Sequence, residues 1–115
     1  MDLSELRIKL KEFASERDWD QFHSPKNLSM ALSVEVAELV EHFQWLTEEQ
    51  SNALDAAALT EVAEEIADIQ IYLTRLSDKL GIDIGDAVTR KLAINAEKYP
   101  VAKARGSALK STKLK

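Results

Sequence analysis

The chain's residues predict an all-α fold, a bundle of four helices, on three observations. Apolar residues recur three and four positions apart along most of the 115 residues, and no stretch alternates as a strand would. Only three Gly and two Pro interrupt the pattern, which suits helices and leaves few breaks for turns. A length of one domain with 45% apolar residues supports a single packed core. So short a bundle leaves each helix thin on one side, and burial against further copies of the chain is expected to stabilise it.

Leu3, Leu6, Leu10 and Phe13 mark a first helix that should stop near Arg17, before DWDQFHSP. Ser24 offers an N-cap, with Pro25 at the first helical position. From there Leu28, Leu32, Val36, Leu39, Phe43 and Leu46 form the stripe of a second helix. The segment Thr47 to Gln50 reads as a capping box that opens a short extra turn. Asp55 caps a third, long helix whose Val62, Ile66, Ile69, Leu73, Leu76 and Leu80 alternate by four and three, ending at Gly81. A fourth helix starts at Asp83 or Asp86, turns Ile84, Val88 and Leu92 inward, and closes at Tyr99-Pro100.

Several function classes are excluded at once. Cysteine is absent, so disulfides, thiolate metal sites and a cysteine nucleophile are out, and any metal must sit on oxygen or imidazole. No stretch approaches the roughly 18 apolar residues that span a bilayer, and the start MDLSELRIKLKEF lacks a signal pattern, so a cytoplasmic protein with no membrane partner is expected. Residues 1 to 100 hold 10 basic against 20 acidic groups, a balance of −10 that disfavours a stable nucleic-acid complex. The remaining stretch, 101 to 115, carries five basic residues and no acid and is expected to be a solvated, disordered tail after a domain spanning 1 to 100.

Two acidic pairs carry the chemistry: Glu35-Val36-Ala37-Glu38 on the second helix and Glu65-Ile66-Ala67-Asp68 on the third. Carboxylates three residues apart share a helix face and can reach one ion together. At about 100° per residue, Glu35 and Glu38 lie about 60° and 120° to one side of Leu32, while Glu65 and Asp68 lie about 40° and 100° to the same side of Ile69. If the two helices pack antiparallel with their stripes facing, flanks of equal rotational sense meet, and all four carboxylates converge on one groove. Either pair alone is compatible with a solvated surface. Two pairs on the border of two apolar stripes favour a site, because their repulsion without a cation would be costly there. Hard oxygen ligands without Cys match Mg²⁺, with Mn²⁺ as a substitute. A di-iron bundle would need Glu-x-x-His, and neither His23 nor His42 has a Glu three residues before it.

At these residues the sequence resembles the MazG-like all-α nucleoside triphosphate pyrophosphohydrolases, whose hallmark is a Glu-x-x-Glu pair on one helix and a Glu-x-x-Asp pair on the next. Within them the resemblance is to the dCTP pyrophosphatases, over roughly Phe13 to Pro100, carried by ERDWDQFHSPKNL, ALSVEVAELVEHFQWL, EEIADIQIYL and INAEKYP. It implies the bundle of that family, Mg²⁺ held by Glu35, Glu38, Glu65 and Asp68, and water releasing pyrophosphate from a triphosphate such as dCTP or a 5-modified dCTP, a reaction that rids the nucleotide pool of unwanted members. Glu35 or Glu38 is then the candidate general base. A homodimer or homotetramer is implied as well.

The same resemblance makes Trp19, His23 and Trp45 candidates for holding the base, with Tyr72, Lys91 and Asn95 matching the family's pocket. Spacing supports several of them. Tyr72 follows Asp68 by four residues on one flank, and Trp45 follows Glu38 by seven, two turns along one face. Asn95 falls within about 20° of Val88 on the apolar stripe of the fourth helix, and Lys91 about 60° away, so both need polar partners. Trp19 and Trp45 also suit a core, His23 a loop, and Lys91 a surface stem. The rival readings are a broad-specificity or dUTP-type pyrophosphohydrolase, and, from another class, a non-catalytic helical oligomer or adaptor.

Overall fold

The computed structural model describes residues 1–115 and is built from helices and turns throughout. Six α-helices follow in order: α1 Leu3–Glu16, α2 Pro25–Glu41, α3 Glu48–Ser51, α4 Ala56–Lys79, α5 Ile84–Lys98 and α6 Val101–Ala104. Two 3₁₀ turns, Asp20–Phe22 and Ser111–Lys113, complete the backbone. The four long helices are those the periodicity marks. The capping box is formed, with Thr47 Oγ1 accepting from the Gln50 N–H at 3.1 Å and Gln50 Oε1 accepting from the Thr47 N–H at 3.0 Å, and it opens the single turn α3.

Each long helix starts where a side-chain oxygen takes up an orphan amide. Asp2 accepts from the Glu5 N–H at 2.8 Å, Ser24 from Asn27 at 3.1 Å, Asp55 from Ala58 at 2.8 Å and Asp83 from Asp86 at 2.9 Å. Two helices end alike. At the end of α4, Gly81 takes φ +68°, its N–H bonds back to the Asp78 carbonyl and that of Ile82 to the Ser77 carbonyl. This is a Schellman end, in which a left-handed residue lets two amides satisfy the last carbonyls. The end of α1 repeats it with Asp18 at φ +53°, Asp18 bonding to Ser15 and Trp19 to Ala14. A Cβ at Gly81 would meet nothing within 4 Å, so only the backbone angle opposes a side chain there. Gly81→Ala should therefore lower unfolding free energy by about 1 kcal/mol, read from the denaturant midpoint.

The chain divides into two compact units, Met1–Ile82 and Asp83–Lys115. In the first, α4 packs chiefly against α2 and secondarily against α1. The run of α2 is opposite to that of α4: His23, just before α2, meets Arg75 near the end of α4, and His42, just after α2, lies 3.8 Å from Glu61 near its start. Ala14, Leu28 and Val62 are the buried apolar residues, one from each of the three helices. The second unit holds α5, α6 and the last 3₁₀ turn.

Candidate active site

Opposed directions of α2 and α4 bring their acidic pairs together. One carboxylate oxygen from each of Glu35, Glu38 and Glu65 lies within 4.8 Å of the others. Oε2 of Glu35 and Oε2 of Glu65 are buried and without any hydrogen-bond partner, the only side-chain nitrogen or oxygen atoms in that state among the buried and half-buried residues. Burial, then the neighbouring Glu38 and the charge of Asp68, push the Glu35 carboxyl up to about 7. Glu65 is raised as well, by burial first and Glu38 second. A sealed carboxylate oxygen needs either a proton or a cation. Two such oxygens beside one from the exposed Glu38, with no Cys or His among them, fit a divalent cation of the Mg²⁺ kind. Asp68, the fourth expected ligand, lies outside the 4.8 Å trio but close enough to act on both glutamates.

Asp68 also lines a pocket of about 430 Å³, a volume in the range of small-molecule sites. The Schellman end of α1 builds one wall. Its left-handed Asp18, tied to Gln21 Nε2 by a 2.9 Å bond from that amide, folds Trp19 back toward α1, where it meets Phe13 edge-to-face at 5.7 Å between ring centres. Arg17 stacks over the Phe13 ring, its guanidinium carbon 3.5 Å from the ring centre. The 3₁₀ turn then sets His23 against Trp19 at 6.4 Å. From α4 come Ile71, Tyr72 and Arg75, and from α1 Leu10 and Ala14. The result is a largely apolar slot with aromatic walls and one carboxylate, Asp68, beside the glutamate trio, suited to a flat ring attached to an anion that a cation accompanies.

A profile of the MazG-like family matches residues 30–114, which include both acidic pairs. The chain belongs to the MazG-like family. Curated relatives agree. Mouse dCTP pyrophosphatase 1 is 44% identical over 114 residues, covering 97% of this chain and 67% of that protein. Its human counterpart is 43% identical over 117 residues with the same coverage. Among solved structures, a pyrophosphatase from Archaeoglobus fulgidus superposes with a TM-score of 0.80 at 44% identity, over 84% of this chain and 91% of that one. The all-α fold is thus that of a MazG-like pyrophosphatase, and the reaction class is nucleotide pyrophosphohydrolysis.

In this MazG-like chain Trp19, His23, Tyr72 and Asp68 gather in one pocket, beside the glutamate trio. Trp45 does not line it; it stands in the turn after α2, 87% exposed. Lys91 and Asn95 lie on α5 in the second unit, Lys91 exposed and Asn95 half-buried. Sequence reasoning missed Arg75, which is buried at 5% exposure and lines the pocket. A signal existed: Arg75 follows Asp68 by seven residues, within about 20° of it on the helix, and so extends the flank of Glu65, Asp68 and Tyr72. The wall residues Leu10 and Phe13 read as ordinary core from spacing alone, and Ile71 falls about 200° from Ile69, off the apolar stripe of its helix.

No helix is long and apolar enough to cross a membrane.

Proposed function

We propose that this MazG-like pyrophosphohydrolase converts dCTP or a 5-modified dCTP to the monophosphate and pyrophosphate with Mg²⁺. One observation carries the reading: the aromatic pocket and the carboxylate trio adjoin through Asp68, which lines the first and raises the charge cost of the second. Glu35, Glu38, Glu65 and Asp68 are the ligands, and Trp19, His23 and Tyr72 the residues that take the base; the names of the mouse and human relatives favour cytosine as that base. Trp45, Lys91 and Asn95 complete the substrate set in this reading. When bound, Mg²⁺ offsets the triphosphate charge and acidifies water. The chain's own part is to hold the triphosphate in line and to take a proton. Water oxygen bonds to the α-phosphorus, the bond from that phosphorus to the bridging oxygen breaks, pyrophosphate leaves, and the water's proton passes to Glu35 or Glu38.

The test is pyrophosphate release from dCTP, 5-methyl-dCTP, dUTP, dTTP and dATP, with and without Mg²⁺. Cytosine-selective release that requires the metal is the expected result. Release from all five at similar rates would overturn the cytosine preference, and no release from any of them would overturn dCTP and its 5-modified forms as substrates.

Self-association belongs to the same reading. Met30, Val34 and Val40 on α2 and Ile66 on α4 are each more than half exposed. Such apolar side chains are what a subunit interface covers. A homodimer or homotetramer is expected, measured by light scattering as two or four times the 12.9 kDa chain; a particle of 12.9 kDa would overturn it.

A further inference from the structure

Arg75 is the most constrained cation in the first unit. Its Nε–H donates to His23 Nδ1 at 3.2 Å, its Nη2 to Asp20 Oδ1, and its Nη1 lies 3.6 Å from Asp78 Oδ2. Asp20 also takes a 2.6 Å bond from Lys79, and Asp78 a 3.4 Å bond from Arg7, so the carboxylates that hold the guanidinium are themselves held. All three nitrogens of the planar fork are engaged, and the side chain is 5% exposed.

A guanidinium in a protein never gives up its proton and has no acceptor. The nitrogen facing its Nε–H must therefore be a lone pair. With Nδ1 accepting, the ring's one proton sits on Nε2, and an imidazolium would set two N–H groups against each other. His23 forms part of the pocket wall. We propose that Arg75 is a positioning residue that holds His23 as the neutral Nε2–H tautomer, so that the pocket offers a standing hydrogen-bond donor to an acceptor on the base edge. This rests on the reading of the pocket as the base site.

The charge environment acts in the same direction. Burial, and after it the charge of Arg75, lowers the His23 pKa, while Asp20 opposes them. A fixed donor also gives the pocket a means of selection. Cytosine presents N3 and O2 as adjacent acceptors, whereas uracil and thymine present an N–H at N3, which a donor facing that position rejects.

With only two histidines in the chain, ¹⁵N imidazole spectra of the full-length protein at pH 7 test the tautomer directly, His42→Gln assigning the pair. The expected spectrum shows His23 neutral with Nδ1 unprotonated; an Nδ1–H ring or an imidazolium overturns the proposal. Arg75→Lys keeps a charge but replaces the fork by a single ammonium, and should yield mixed tautomers with KM for dCTP raised about tenfold and kcat little changed. An Arg75→Lys protein that keeps the pure Nε2–H form overturns it too.

Because a buried arginine variant can lose its fold, His23 supplies the second pair. Glutamine carries an N–H at the position of Nε2 and asparagine at that of Nδ1. His23→Gln should keep KM for dCTP within a few-fold of the parent while His23→Asn loses about tenfold. Equal KM values for parent, His23→Gln and His23→Asn, beside the expected ¹⁵N pattern, would overturn the donor role and the base-site reading while the Arg75 lock stands measured on its own.

Discussion

Replacing Glu35 by Gln should reduce pyrophosphate release by about 10²- to 10⁴-fold, the span associated with losing a positioned proton acceptor. The same change should raise the thermal midpoint of the metal-free protein. Two causes separate these effects. For turnover, the amide is neither a base nor an anionic ligand, and the trio of Glu35, Glu38 and Glu65 falls to two carboxylates. For stability, Glu35 sits among like charges with an unpartnered Oε2, and burial, Glu38 and Asp68 all disfavour its ionised form. An uncharged side chain of the same shape removes that repulsion. A structural glutamate would behave oppositely, with stability lost and activity falling only as the fold did. Glu64→Gln is the control: it is exposed and directly precedes Glu65 in sequence, and should leave both quantities unchanged. If Glu35→Gln lowers the metal-free midpoint and keeps activity, the carboxylate cluster is not the reacting site.

The helices and their ends were readable because short-range chemistry decides them. Ser24, Thr47, Asp55 and Asp83 each cap a helix three residues from the amide they accept, and that distance is visible in a sequence. The acidic pairs were readable for a related reason: their angle to Leu32 and Ile69 follows from helical pitch, and an antiparallel packing of α2 on α4 was enough to bring them together. Asp18 hid itself. A Schellman end with Gly announces a turn, as Gly81 does, but an Asp in the left-handed region looks like any acidic residue, and with it the fold-back of Trp19 onto Phe13 was lost. The Arg75 bond to His23 joins residues 52 apart in sequence, and no local rule selects that partner. Trp45 shows the limit of spacing from the other side. It is seven residues from Glu38, yet α2 ends at Glu41, so the helical angle no longer applies where Trp45 stands.

Affinity for Mg²⁺ should fall about tenfold for each pH unit below 7, and so about 100-fold between pH 7 and pH 5, because ligand carboxylates must shed their protons to bind. That slope is the contribution of Glu35 alone, whose value of about 7 sets the upper end of the window, and Glu65, raised in the same direction, makes the fall steeper than this. The metal-free protein should show the converse. A carboxyl whose folded pKa lies above its unfolded value binds more protons when folded, so its stabilising contribution is full below about 4.5 and is lost as pH rises through about 7. His23 runs against this in part: its lowered pKa makes the folded state refuse a proton, and that contribution is lost as pH falls below 6.5. The difference between parent and Glu35→Gln isolates the glutamate. Thermal midpoints measured from pH 5 to 8 without metal should diverge as pH rises, with the variant the more stable at pH 8, and added Mg²⁺ should close the gap by stabilising the parent alone. Parallel curves would mean that Glu35 ionises freely and that no cation is needed to offset it.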